Sequence, residues 1–478
     1  MNSLILAIVA LPLFNCLSSM LINNNKIKNF VEKFSMIAFF AILIGLYNKL
    51  ENLNSLEILA LAPDLSLRFA INDTNASYLF LLIFIWLAYG FYAERFLVIS
   101  GNQNAAQFKL FFAFIITFIN LIILSHNLLT LLFAYNCLVF TCYFLTTKFL
   151  FKINNNLTKI FTFLMFGEAL LLLFAIVVTA KFGEQVAFNE DGVLNNISEI
   201  KTACLFLLYF GGILLTILGS SYLLYYKNYE ADSPLSYLFL TLFLGFAKLY
   251  IFIKIISEIF GIGVFSLIIT KIDLEIVAFV FLINLAISMF LLLFSRDFKA
   301  ISFHLFFSQL IVAFFTIIIY AIYNEEAILE VLPNFILSIT LVFLTFSNLI
   351  LYLKKAENKD LSGLFYNMKI TVLLLLFGFL NLSGVAPALG MVEKYSLLKI
   401  ALQNNLFLVQ IFFITNSICL FLFTVKLFFP LFLKAETIKS EHDKKLAEKI
   451  DTASSLMLSA LVVAVIIFAL PIIQFFSK

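Results

Sequence analysis

The sequence predicts an all-α, polytopic membrane protein with about fourteen transmembrane helices, each read from a run of ~20 mostly apolar residues. Two observations carry that reading, and a third orients it. Hydrophobic residues make up 63% of the 478-residue chain and charged residues only 12%, with a mean hydropathy of +1.07. A soluble domain has about 45–50% apolar and about 25% charged residues. The apolar residues are gathered into runs of span length, and the lysines and arginines concentrate in alternate connections between them.

Taken in order, the runs lie near residues 4–22, 34–50, 78–98, 108–125, 127–147, 159–180, 202–225, 235–257, 274–294, 300–322, 330–353, 368–390, 405–428 and 455–476. The first run resembles a signal sequence in length but has neutral Asn2 and Ser3 in place of a basic start, so it reads as a retained span. Residues 259–270 are apolar but short, and extend span eight or form a re-entrant piece. The connections after odd-numbered spans hold about 21 of the 31 basic residues, among them Lys152, Lys355 and Lys445. Cytoplasmic connections carry that excess, so an even number of spans leaves both termini extracytoplasmic. The mixed-charge stretch 434–451 reads as a short cytoplasmic surface helix before the last span.

Several chemistries are excluded. The net charge of +3 gives no basis for binding nucleic acid. The five cysteines, Cys16, Cys137, Cys142, Cys204 and Cys419, form no CxxC and no cluster with His126, His304 or His442, so neither metal nor iron–sulfur ligation is expected. No glycine-rich phosphate loop is present. The expected cofactor content is none.

Charged residues inside spans are few, and insertion scales put each at about 2.5–3.5 kcal/mol. Glu168 lies in span six within Phe166-Gly167-Glu168-Ala169, and Lys248 in span eight within Phe246-Ala247-Lys248-Leu249. His304 lies one turn into span ten, and Glu393 and Lys394 follow Gly390 in span twelve. Burial favours the neutral form of such groups and a neighbouring opposite charge favours the ionised form, so together they suit a proton relay; a packing ion pair is the other reading of Glu168 and Lys248. Gly384-Val385-Ala386-Pro387 interrupts span twelve. A proline removes a backbone donor, and the carbonyls so freed survive at membrane depth only inside protein or beside water. Gly384, Pro387 and Gly390 are therefore read as a helix break just ahead of Lys394. In the first half, Gly211-Gly212 and Gly219-Ser220-Ser221 loosen span seven without a proline. Amides at Asn120, Asn136, Asn284, Gln309, Asn348, Asn381 and Asn416 suit interhelical hydrogen bonds.

Four stretches resemble the proton-translocating antiporter-like subunits of respiratory complex I (L, M and N types) and of Mrp cation/proton antiporters (A and D types). They are residues 63–73 (PDLSLRFAIND), residues 127–133 (NLLTLLF) with Tyr143, residues 230–236 (EADSPLS), and the pair formed by Asp297-Phe298-Lys299 with Ser308-Gln309-Leu310 and by residues 384–390 (GVAPALG) with Lys394. The resemblance implies two inverted five-helix repeats with broken helices and a line of buried ionisable residues. It implies three N-terminal helices over 1–107, an antiporter-like core over 108–428, and a cytoplasmic connection with a last helix over 429–478. It also implies a bacterial inner-membrane subunit that works beside other membrane subunits in lipid and moves protons, or Na+. Any NADH or quinone chemistry would belong to those partners.

The chain departs from the pattern at two points. Tyr135 and Asn136 stand where the family has a tryptophan–glutamate pair, and the family's span-seven lysine falls near Leu215 and Thr216. Two functions therefore stay open, a proton-translocating subunit with a rewired first half and a non-pumping structural or assembly subunit. The complex I and Mrp alternatives also stay open.

Overall fold

The computed structural model describes residues 2–22, 25–47, 56–62, 65–100, 105–145, 155–182, 188, 192–194, 201–212, 234–295, 298–355, 362–385, 388, 390–433 and 445–451. These residues are overwhelmingly helical. A helix satisfies every backbone donor and acceptor within its own segment, which a hydrocarbon surrounding demands. Among the described residues, four helical stretches are each long and apolar enough to cross a membrane: Leu274–Phe294, Ala300–Tyr323, Val331–Leu353 and Phe407–Phe432. The bent pair Leu242–Phe260 and Ile262–Ile272 makes a fifth if it is one span. The protein is a multi-pass membrane protein. The expected last span near 455–476, Gly219-Ser220-Ser221, Pro387, and Leu215 and Thr216 lie outside the described residues.

The chain divides into two compact units. The first comprises Met1–Gly90, Asn102–Asp232 and Phe243–Ile268. It contains α1 (Asn2–Leu21), α2 (Asn25–Tyr47), most of α3 (Asp73–Ser100), α4 (Ala105–Leu124), α5 (Leu128–Leu145) and α6 (Asn155–Phe182). It also contains α7 (Lys201–Gly212) and the greater part of α8 (Pro234–Lys254), which runs on as a π-helical turn, Ile255–Phe260. At Gly261, whose φ is +73°, the chain turns by 99° into α9 (Ile262–Ile272). Span eight thus continues past its expected end, and the short apolar stretch after it is a separate, sharply angled helix.

A two-stranded antiparallel hairpin, β1 (Leu56–Ala62) and β2 (Leu65–Phe69), precedes α3. The sequence reading had only a lead into span three here. The second strand is bound to the turn between α4 and α5. Asn127 Nδ2 donates to Ser66 O at 2.6 Å, Arg68 N to Thr130 Oγ1 at 2.9 Å, and His126 N to Arg68 O at 3.0 Å. The strand edge is thereby covered by side chains and backbone of a helix junction.

The second unit comprises Phe91–Gly101, Ser233–Leu242 and Ile269–Lys478. Its main elements are α10 (Leu274–Phe294), α11 (Phe298–Tyr323), α12 (Ile328–Lys355), a single turn α13 (Leu364–Asn367), α14 (Lys369–Ser383), α15 (Gly390–Gln403) and α16 (Phe407–Phe432). In the spanning portions of α11 and α12, 89% of residues are buried, against 33% in α10 and 39% in α16. The first two therefore form the interior of this unit. The other two present apolar stripes outward, such as Phe279, Ile283, Phe290 and Phe294 on α10. Two helix starts are capped from far along the chain. Glu275 Oε2 accepts from Leu408 N at 2.9 Å. Asp451, on the helical segment 445–451, accepts from the backbone N–H groups of Ile370 and Thr371 at 3.3 and 2.9 Å and from the Thr371 hydroxyl at 2.9 Å. Each carboxylate satisfies backbone donors that a helix cannot satisfy itself.

Candidate functional site

In the second unit the site is built around the gap between α14 and α15. The last turn of α14 closes with Gly384 at φ +72°. Gly384 N donates to Asn381 O and Val385 N to Leu380 O, both at 3.1 Å, the paired bonds of a Schellman end. A Cβ on Gly384 would sit 2.5 Å from Lys394 Cδ, so both the backbone angle and the lysine require glycine here. At Gly390 the helix restarts against the chain it left. A Cβ there would lie 1.9 Å from Asn381 O, and Gly390 N donates to Asn381 Oδ1 at 2.7 Å.

Lys394 occupies what the break leaves open, with Nζ donating to Leu382 O, one of the last carbonyls of α14. The lysine is half-buried and lines a cavity with Gln309, Thr316, Asn334, Ser338 and Glu393. Glu393 accepts from Asn334 Nδ2, and Asn334 Oδ1 accepts from Asn381 Nδ2 at 3.1 Å. Asn381 Nδ2 also donates to the Ser338 hydroxyl. One asparagine side chain thus joins the end of α14, the start of α15 and the buried face of α12. Gln309 Nε2 donates to Asn416 Oδ1 at 3.1 Å, tying α11 to α16 beside the same cavity.

In the first unit, Glu168 on α6 is 1% exposed, and its Oε2 lies 3.0 Å from Lys248 Nζ on α8. Tyr135 on α5 is buried against the carboxylate. The two ionisable residues predicted for the first half therefore form one ion pair. Its position next to Tyr135 sets a carboxylate on span six beside the place where span five lacks one. His304 is not brought into either group. It is 3% exposed on α11, packs edge-on against Phe303, and its carbonyl accepts from Ser288 Oγ at 3.2 Å; it does not line the cavity that holds Lys394.

Two participants were not singled out from the sequence. Asn334 gave no signal beyond being an amide near the start of a span. Lys254 stands at the end of the eighth apolar run, yet it is 2% exposed and pairs with Glu258 at 3.4 Å. Its spacing from Glu258, four residues at the end of an apolar run, was the available sign.

These features define a multi-pass helical membrane protein whose interior holds paired or backbone-bound charges at irregular points of its helices. No family model matches the sequence, and no curated protein matches it. Solved structures do match in fold. A chain in the Mrp complex from Dietzia sp. DQ12-45-1b superposes with a TM-score of 0.76 at 13% identity, covering 98% of this chain and 96% of that one. A chain of the membrane-bound sulfane sulfur reductase, an archaeal respiratory membrane complex, gives 0.70 at 16% identity over 94% and 74%. A chain of respiratory complex I from Thermus thermophilus gives 0.65 at 14% identity over 97% of each. The fold is similar to chains of Mrp and complex I assemblies, the proteins that the four stretches resemble, at low sequence identity.

Proposed function

We propose that this chain is a proton-translocating membrane subunit of a respiratory NADH:quinone oxidoreductase or of an Mrp-type cation/proton antiporter. It sits in a bacterial inner membrane with other membrane subunits and carries no redox centre of its own. In this reading fourteen spans leave both termini extracytoplasmic, and residues 108–428 form two inverted repeats between the N-terminal helices and the C-terminal part. Protons are the translocated ion, with Na+ as the alternative.

One observation carries the reading: Lys394 rests on a backbone carbonyl freed by a helix break and faces a cavity edged with amides and hydroxyls. An ammonium held by a neutral carbonyl rather than by a bound anion can lose its proton without leaving an unpaired charge behind. Broken helices at membrane depth hold ion sites in transporters. Glu168 and Lys248 serve as the relay pair of the first half, and Glu393 biases Lys394 from the neighbouring position.

The test is proton pumping in membrane vesicles that carry the assembled complex. Lys394→Ala abolishes pumping while the complex still assembles, and Lys394→Arg fails as well because a guanidinium cannot release its proton. Normal pumping in both variants would leave the chain a structural subunit. Topology is checked with reporter fusions beside Lys152, Lys355 and Lys445, all expected to report cytoplasm; two of the three on the opposite side would overturn the orientation.

A further inference from the structure

A second buried ion pair lies in the first unit, six residues along α8 from Lys248, a rise of about 9 Å. Lys254 Nζ donates to the carbonyl of Ser125 and, at 3.2 Å, to its hydroxyl, and lies 3.4 Å from Glu258 Oε2. The ring of Phe188 stands 5.0 Å from the ammonium and that of Tyr250 5.6 Å. Two ammonium donors are taken by Ser125, the third side faces the carboxylate as an ion pair, and two aromatic faces supply further attraction.

The surroundings are built to enclose this pair. Tyr250 is fixed by its hydroxyl, which donates to Asn75 Oδ1 at 2.7 Å and Ile123 O at 3.0 Å. Phe188 is held by its N–H on His126 O at 3.1 Å. Above the π-helical turn, Val193 N donates to Glu258 O at 3.3 Å and Leu194 N to Ile259 O at 3.1 Å. Gly192, at φ +84°, presses so closely that a Cβ would meet Gly261 N at 2.4 Å. Yet the enclosure is asymmetric. The Lys254 side chain is 2% exposed and that of Glu258 18%. The contact of 3.4 Å is also longer than the 2.7–2.9 Å or so of a tight charge-assisted hydrogen bond. A π turn within an α-helix often marks a functional position, and here it carries Glu258, whose Oε2 is buried without a hydrogen-bond partner among the described residues while the side chain as a whole stays partly exposed.

We infer that Lys254 and Glu258 form a proton-holding site of the first unit, in which Glu258 exchanges protons with the outside of the unit and Lys254 holds them within. Passage is a simple transfer: the ammonium gives a proton to the carboxylate, leaving a neutral amine and a neutral carboxyl; the carboxyl releases that proton to the outside, and a proton taken up from outside by the carboxylate and passed back to the amine restores the ionised pair. Among the described residues, the other titratable or charged groups within reach are Tyr250, Tyr78 beside it at 4.9 Å, His126 and Arg68. Its place in a translocation path rests on the function proposed above, whereas proton binding is read without it.

The experiment is infrared difference spectroscopy of the purified full-length chain in detergent micelles, titrated from alkaline to acid. The wild type gains a protonated-carboxyl band while still folded. Glu258→Gln loses that band, and Glu258→Asp, which keeps the acid, shifts it; Glu168→Gln leaves it in place. No such band in the wild type, or one unchanged in both Glu258 variants, overturns the site. If the band behaves as stated while the Lys394 variants pump normally, the translocation reading falls and the proton site stands.

Discussion

Lys248 in the first unit and Lys394 in the second are neutralised in different ways. Lys248 meets the carboxylate of Glu168, two residues on helical segments joined by opposite charge. In the second, Lys394 meets a main-chain carbonyl made available because a helix stops, and a carboxylate next to it is held separately by Asn334. A charge balanced by a charge leaves a stranded ion when its partner is removed, whereas a charge balanced by a dipole leaves only a polar group. The same residue type is therefore held by an ion pair in one place and by a main-chain dipole in the other.

That contrast is broken most directly at Lys248. Lys248→Ala strands Glu168 at 1% exposure, so stability should fall by about 3–5 kcal/mol, whereas exchanging both partners for apolar residues of similar size should be near neutral. Thermal unfolding of the single and double variants in detergent reads both numbers, and a mild single variant would mean that the pair is already hydrated. Next in size is Gly384→Ala. The left-handed backbone and the nearby Lys394 side chain together should cost about 1–3 kcal/mol, and displacing the lysine should lower transport further than the loss of stability explains. Retained transport with reduced stability would separate the break from the relay. The smallest effect is expected for Asp451→Ala. Loss of the remote cap should cost about 0.5–2 kcal/mol, read as faster hydrogen exchange confined to the N–H groups of Ile370 and Thr371.

What was legible in the sequence follows the same physics. Glu168, Lys248 and Lys394 stood out because an ionisable side chain inside an apolar run needs a partner, and the helix class followed from the runs themselves. Gly384 and Gly390 were visible because they flank Pro387, a proline in mid-span that removes a backbone donor; the left-handed turn at Gly384 and the close contact at Gly390 came from the fold. Lys254 was hidden by its place at the end of a run, where a lysine usually reaches water; what covers it includes Phe188 and Ser125, both distant in sequence. The hairpin was missed because Leu-Ser-Leu-Arg-Phe alternates over only five residues and its partner strand is all but apolar. Asn381 was legible as a span amide suited to interhelical hydrogen bonds, but its partners were not, since an amide in a span has many possible partners and only the fold selects among them.

Asp451 gives α14 a dependence on the order in which the chain is made. The first turn of α14 leaves the ribosome about 80 residues before the carboxylate that satisfies its N–H groups, a delay of roughly 4–16 s at ordinary synthesis rates. During that interval the helix ahead of the break has an open end, and its backbone donors must be met by water or lipid headgroups. Closure comes only after α15 and α16 have been made. The segment 445–451 is in this sense a latch set late, closing the start of the helix whose other end meets Lys394.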